Sequence, residues 1–152
     1  MSRYKLTAVL ALLTCWSCVP RLDRARMLAE EYAAIHRIST IHVAEAQYYS
    51  MNNKYAASLA ELVSADILPK AFAKGKDGGY IFNVSAGAKG YVVTAVPEVY
   101  GRTGTRNFYS DETMVIRQSV TKEPAGPESP ESRAVTQPLS HLTRDEIPTL
   151  RT

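Results

Sequence analysis

The sequence predicts an α+β domain: a long N-terminal amphipathic helix packed on a small antiparallel sheet of three to four strands, followed by a disordered C-terminal tail. Three observations carry this expectation. Residues 23–50 contain neither glycine nor proline and repeat apolar side chains at three- and four-residue multiples, the spacing of one helix face. Residues 78–118 switch to alternation, the period of a strand with one buried face. Beyond Ser119 the chain holds five of its eight prolines and few large apolar residues, a composition that does not build a packed core. The expected divisions are a signal peptide over 1–17, the helix-plus-sheet domain over 18–120, and a Pro-rich tail over 121–152.

The chain opens with a basic pair, Arg3 and Lys5, then the short uncharged run Leu6–Thr14, and turns polar after Pro20. A positive start followed by an apolar run of about 7–15 residues reads as a secretory signal, and the run falls short of the roughly 20 residues needed to span a bilayer. The only cysteines, Cys15 and Cys18, stand at its end in "CWSC". A redox dithiol would need a strand before it and a helix N-terminus under it to lower the thiol pKa. A zinc site would need two further ligands, which His36, His42 and His141 do not supply at finger spacing. The stretch instead resembles the lipobox of bacterial lipoproteins. Cys18 follows the small residue Ser17 but has Cys15 at −3, while Cys15 has Leu12 at −3 but the bulkier Thr14 at −1, so neither match is clean and ordinary signal-peptidase cleavage near Ser17 stays open. The resemblance implies lipid attachment at Cys18, with Cys15 as the alternative, and an exported protein held at the cell envelope.

Once the signal is removed, at most one cysteine remains, so no internal disulfide staples the fold and apolar packing alone must hold it. The formal charge of +3 owes two units to Arg3 and Lys5, which leaves no electrostatic footprint for nucleic acid. Nine tyrosines against three phenylalanines suit a half-buried aromatic population with polar ends.

Along the helix, Leu28, Ile35, Ile38, Ile41 and Tyr48 form the apolar stripe, with Arg26, Glu30, Arg37 and Gln47 facing water and Asp23 as N-cap. Asn52 and Asn53 end it. Ser58 and Glu61 make a capping box for a short second helix over 59–64, which Pro69 prevents from extending. Tyr80, Phe82 and Val84 share one face of the next strand, and Tyr91, Val93 and Ala95 one face of the strand after it. A Gly-rich loop, "PEVYGRTGTRNF" (Pro97–Phe108), leads to "RNFYS" and "MVIRQ", which flank a tight "DET" connection.

This layout resembles the globular part of type IV pilins and type II secretion pseudopilins. Ala44, Glu45, Tyr48, Tyr55, Ser58, Leu59 and Leu62 match the helix end and the "Y-x-x-S-L-x-x-L" segment. Gly79, Tyr80, Phe82, Gly90, Tyr91, Ala95, Pro97, Gly104, Arg106, Phe108, Asp111, Ile116 and Arg117 match the sheet pattern. The likeness covers roughly 33–118 and is spread over many weak positions. The sequence departs from the pattern at its start. It has neither the G-F-T-L-x-E type processing site nor the twenty apolar residues with which pilins polymerise. In the final hairpin, Thr113 and Met114 stand where the family has a glycine. The resemblance therefore implies a pilin-type head domain on a signal or lipid anchor, retired from filament building, with other envelope, pilus or secretion proteins as partners.

Sharper chemistry finds little support. His42 and Glu45, at i and i+3, reverse the Glu-x-x-His order of di-metal bundles and have no second copy; they read as surface or satisfied polar residues. Asp77, Asp111 and Glu112 are too scattered for the six to eight oxygens calcium takes. "GKDGG" (Gly75–Gly79) precedes a strand, whereas phosphate loops follow one, so it reads as a turn. No nucleophile-elbow spacing occurs. No catalytic residue, cofactor or metal ligand is assigned. Tyr100, Arg102 and Arg106, residue types that anchor interfaces, mark the Gly-rich loop as the candidate partner contact. The expected function is a non-enzymatic envelope protein with a structural or accessory binding role. The alternative is a secreted or periplasmic small-ligand or calcium-binding module unrelated to pili or secretion.

Overall fold

The Gly- and Pro-free stretch forms a single helix, α1 (Val19–Asn52), of 34 residues, about 50 Å long at 1.5 Å per residue. The computed structural model describes residues 19–87 and 90–132, with α1 side chains from Leu22 onward. The expected signal segment, Cys15 and Cys18, and residues 133–152 lie outside the described residues. Asp23 stands within the helix rather than at its cap, because helical backbone already extends ahead of it. At the other end Asn53 takes a left-handed backbone (φ 55°) and its N–H bonds the Tyr49 carbonyl at 2.8 Å. Asparagine tolerates this conformation, which stops a helix.

The packed face of α1 runs from Glu31 to Tyr48 through Ala34, Ile35, Ile38, Ile41, His42, Ala44 and Glu45, all buried. Leu28, expected in the stripe, is exposed, and from Leu22 to Glu30 no side chain is fully buried. The second helix, α2 (Leu59–Ser64), starts where the capping box placed it. Ser58 Oγ accepts from the Glu61 N–H at 3.3 Å, and Glu61 Oε2 accepts from the Ala57 N–H at 2.8 Å. Leu59 and Leu62 enter the core, and a 3₁₀ turn over Lys70–Lys74 contributes Phe72.

The sheet has five strands rather than three or four: β1 (Lys76–Asp77), β2 (Tyr80–Ala86), β3 (Tyr91–Pro97), β4 (Asn107–Asp111) and β5 (Arg117–Ser119). They form an antiparallel meander in chain order. The additional strand lies inside the "GKDGG" turn. Gly78 and Gly79 both have positive φ (55° and 72°), as a two-residue hairpin loop requires, and they fold Lys76–Asp77 back onto Tyr80–Ile81. Register places Phe82 opposite Ala95, Val84 opposite Val93, and Ala95 opposite Phe108. The buried members of each strand therefore line up under α1.

Residues 121–132, expected within the disordered tail, are folded, which moves the domain boundary past 120. The segment returns antiparallel along β5. Gln118 N–H bonds the Pro130 carbonyl at 2.9 Å and Ser132 N–H bonds the Ile116 carbonyl at 2.8 Å. Arg117 Nη1 donates to the Ser129 carbonyl, and Asn107 Nδ2 to the Thr121 and Glu123 carbonyls. Within this strap, Ala125 and Ser132 are themselves buried. An edge strand left bare offers unpaired amides to any passing chain, and this segment covers that edge.

Candidate functional site

The register separates two ends of the sheet. At one end lie Tyr80, Pro97 and the loop to β4, under the N-terminal half of α1; at the other lie Ala86, Tyr91 and the β4–β5 turn, near its C-terminal half. The three residues singled out in the loop have different fates. Arg106 is tied down: its Nε stands 3.0 Å from Glu31 Oε2 and its Nη1 donates to Gln118 Oε1 at 3.3 Å. The Nε–H is not aimed at Oε2, so the contact is an ion pair rather than an aligned hydrogen bond. Glu31, almost fully buried, also accepts from the Thr105 N–H and hydroxyl through Oε1. Tyr100 is likewise engaged, its hydroxyl donating to the Val120 carbonyl at 2.7 Å. Arg102 is exposed and borders a cleft of about 400 Å³ with Asp23, Arg26, Glu30 and Gly79. The loop is thus held against α1 and the end of β5, and it offers Arg102 rather than all three residues as a contact.

Buried polar groups continue down α1. His42 sits between β3 and β4. Its Nε2 is 2.8 Å from Ser110 Oγ and its Nδ1 2.6 Å from the Tyr91 hydroxyl. Ser110 Oγ donates onward to the Val115 carbonyl. Hydrogen-bond consistency assigns the tautomer: Nε2–H donates to Ser110 and Nδ1 accepts from Tyr91. Burial lowers the pKa of His42, against a smaller upward pull from Asp111, so the neutral ring is the one the fold favours. A Ser–His contact invites comparison with a hydrolytic pair, but Ser110 is fully buried and its proton is committed to Val115. No substrate carbonyl reaches it.

One turn on, Glu45 is fully buried, with Oε2 accepting from the Ala56 N–H at 2.9 Å and Oε1 unpartnered. Burial raises its pKa. Tyr48 then donates to Glu61; that bond raises the phenol pKa and lowers the carboxyl pKa. These groups fix the angle of α1 over the sheet and α2, since an apolar stripe alone would allow it to slide.

Beside this row lies a pocket of about 170 Å³ lined by Ala46, Tyr49, Tyr55, Tyr91, Glu112 and Met114. Tyr91, Tyr55 and Tyr49 step outward from core to surface, with ring centroids 4.8 Å and 4.7 Å apart and tilts of 49° and 33°. Tyr91 is buried; Tyr49 is substantially exposed. Burial, with a further push from Glu45, Glu112 and other neighbours, raises the Tyr91 pKa. Glu112 and Met114 come from the turn between β4 and β5. There Met114 adopts a left-handed backbone (φ 62°), and its N–H bonds the Asp111 carbonyl at 2.9 Å. This is where the family resemblance leads one to expect glycine.

The three carboxylates weighed for calcium are not brought together. Asp77 pairs with Arg37 near Tyr80, whereas Asp111 lies across from Val92 at the far end, its Oδ1 accepting from the Thr113 N–H. Among the described residues, no three His, Cys, Asp or Glu side chains converge on a metal position. No helix of the described residues is long and apolar enough to cross a membrane. No family model matches the chain, and no curated protein matches its sequence.

The tyrosine pocket was not legible in the sequence. Tyr49 and Tyr55 flank the helix end, but Tyr91 and Glu112 arrive from a strand and a turn far along the chain. The usable signal was Met114 at a turn position that favours glycine. His42 and Glu45, read as surface or satisfied polar residues, are buried: His42 is fully hydrogen-bonded, Glu45 half so.

Proposed function

We propose that this chain is a non-enzymatic, exported, pilin-like envelope protein, held to a membrane through a lipid on Cys18 (or Cys15), with a structural or accessory binding role beside other envelope components. The observation that supports this reading most is the course of α1. Its fully buried face begins only at Glu31, while residues 22–29 are exposed apart from the half-buried Met27 and include the charged Asp23, Arg24 and Arg26. A helix whose first turns bury no side chain fully and border the rest of the domain across a cleft suits a short stalk between the lipobox-like cysteines and a binding domain. The chemistry of the buried row agrees: each ionisable group there is spent on holding elements together rather than aimed at a reachable centre.

The test is metabolic labelling with radioactive palmitate, in the wild type and in Cys18→Ala and Cys15→Ala chains. Label lost in Cys18→Ala, together with release of the protein from the membrane fraction, is the expected result. An unlabelled, freely soluble wild type would refute the anchor and with it the stalk.

The small-ligand alternative keeps one specific support, the tyrosine pocket. It is compatible with an anchored protein, because the pocket lies at the end of the sheet away from the stalk.

A further inference from the structure

We infer that the cleft between the first turns of α1 and the loops of the sheet binds a small zwitterion, an ammonium and a carboxylate on one short backbone, the chemistry of amino acids and short peptides. The cleft, of about 400 Å³, falls within the roughly 300–1,000 Å³ of ligand sites. One wall is a single helix face, on which Asp23, Arg26, Met27 and Glu30 stand at i, i+3, i+4 and i+7. The other is Gly79 from the β1–β2 loop with Arg102 and Thr103 from the β3–β4 loop. Met27, half-buried, is the one large apolar side chain of the lining, so the cleft suits a polar guest. It lies at the opposite end of the sheet from the tyrosine pocket. The inference also stands apart from the anchor: a chain without lipid would still carry both walls.

The charges of the two walls narrow the guest. Arg26 Nε stands 3.6 Å from Glu30 Oε1, and outside the lining Arg37 pairs with Asp77. Asp23 on the helix wall and Arg102 on the loop wall make no ion pair among the described residues. A cation alone would meet Arg26 and Arg102 in this space, and an anion alone would meet Asp23 and Glu30. A guest with one charge of each sign finds an opposite partner on both walls and adds no net charge. The planar fork of Arg102 suits bidentate contact with a carboxylate. Its loop is braced in advance. The Thr103 and Arg102 N–H groups both bond the Val99 carbonyl, at 2.9 Å and 3.0 Å, and Gly101 N–H bonds the Gly104 carbonyl at 2.7 Å. Thr103 Oγ1 accepts from the Val99 N–H at 3.1 Å. Gly79 lies so close that a Cβ there would stand 2.8 Å from the Thr103 Cβ. A wall already ordered loses little freedom when a guest arrives.

The experiment is NMR on the full-length chain, following the amides of Gly79, Gly101 and Thr103 and the Arg102 side-chain Nε–H. Diglycine, which carries both charges, is titrated beside N-acetylglycine, which keeps only the carboxylate, and glycinamide, which keeps only the ammonium, at equal ionic strength. Saturable shifts are expected with diglycine and weaker ones with the other two. Asp23→Asn and Arg102→Gln should each weaken diglycine binding by about two- to fivefold, as loss of one exposed ion pair implies, with melting temperatures unchanged. The two variants should also alter selectivity in opposite ways. Arg102→Gln should bind diglycine no better than glycinamide, and Asp23→Asn no better than N-acetylglycine. Arg24→Gln removes a neighbouring exposed charge outside the cleft lining and should change neither affinity nor selectivity. Glycine against diglycine separates an amino acid from a peptide; saturable uptake of either supports the site. Diglycine binding no tighter than the stronger of the two single-charge compounds would overturn the zwitterion. A loss in Arg24→Gln as large as in Arg102→Gln would overturn the cleft itself, because general surface charge would then account for the shifts.

Discussion

Ending the chain at Val120 tests where the folded domain stops. The truncation removes seven hydrogen bonds to the retained chain: the two that Asn107 Nδ2 donates to Thr121 and Glu123, the two backbone bonds at Ile116 and Gln118, the Arg117 guanidinium bond to Ser129, and the two between Ser119 Oγ and Thr121. Five of these lie on or next to β5, where Arg117, Gln118 and Ser119 are already half-buried and water can replace the lost partner. Asn107 is different. Only 3% exposed, its carboxamide loses both acceptors. A buried donor left without a partner costs about 1–3 kcal/mol, and this sets the expected loss. For a domain of this size that is a fall in melting temperature of roughly 5–10 °C. Circular dichroism melts and urea titrations measure it, and hydrogen exchange localises it. The Gln118 amide should exchange faster in the chain ending at Val120 and unchanged in one ending at Ser132, which keeps every contact named above. Asn107→Ala in the full chain, which removes the donors but leaves the strap, should be destabilised through the same contact. A chain ending at Val120 that melts within a degree of full length, with Gln118 still protected, would refute the strap as part of the domain.

Two further outcomes follow from the buried polar row. Because burial depresses the folded-state pKa of His42, the unfolded chain takes up a proton that the fold resists. Stability should therefore fall as pH drops below about 6.5, by up to about 1.4 kcal/mol per pH unit until the folded-state pKa is passed. Glu45, with its pKa raised, works in the opposite sense as pH falls further, so the decline should ease in the carboxylate range. Urea midpoints between pH 7 and 4 measure this, with His42→Gln expected to be less stable at pH 7 but flatter below it; a wild type with constant midpoint from pH 7 to 5 would remove the argument. In the loop, Arg106→Ala should cost about 2 kcal/mol, because it leaves the buried Glu31 carboxylate without its counter-ion, discounted for the guanidinium being 26% exposed. Arg102→Ala should stay within about 0.5 kcal/mol. Equal midpoints for the two variants would show that the tether carries no stability.

The features legible in the sequence are those whose cause is local. Ser58 and Glu61 are three residues apart and place the start of α2 without outside help. The alternation of Tyr80, Phe82 and Val84, and of Tyr91, Val93 and Ala95, gave the buried faces of β2 and β3 as they stand. The fifth strand escaped because two residues carry no periodicity; the Gly78–Gly79 loop creates it. The strap escaped for a different reason. Low hydrophobicity and proline predict disorder on the premise that order requires apolar burial. Residues 121–132 are held mainly by their own carbonyl oxygens, those of Thr121, Glu123, Ser129 and Pro130. Proline keeps its carbonyl although it lacks the N–H, so composition is blind to this kind of attachment.

The same division explains why the candidate site was hidden while the scaffold was not. The contacts that join the parts of the pocket and its support span long separations: His42 to Tyr91 is 49 residues and His42 to Ser110 is 68. No spacing rule can join positions that only the completed sheet brings together. What the sequence does carry is a local inconsistency, a methionine in a turn that a glycine would occupy without strain. Local and global preferences agree through most of this fold, in the capping box, the helix-ending asparagine and the strand faces. A position where they disagree has to be kept by something other than folding. In this chain that position lies beside Tyr49, Tyr55 and Tyr91 at the β4–β5 turn, at the opposite end of the sheet from the arginine-bearing loop.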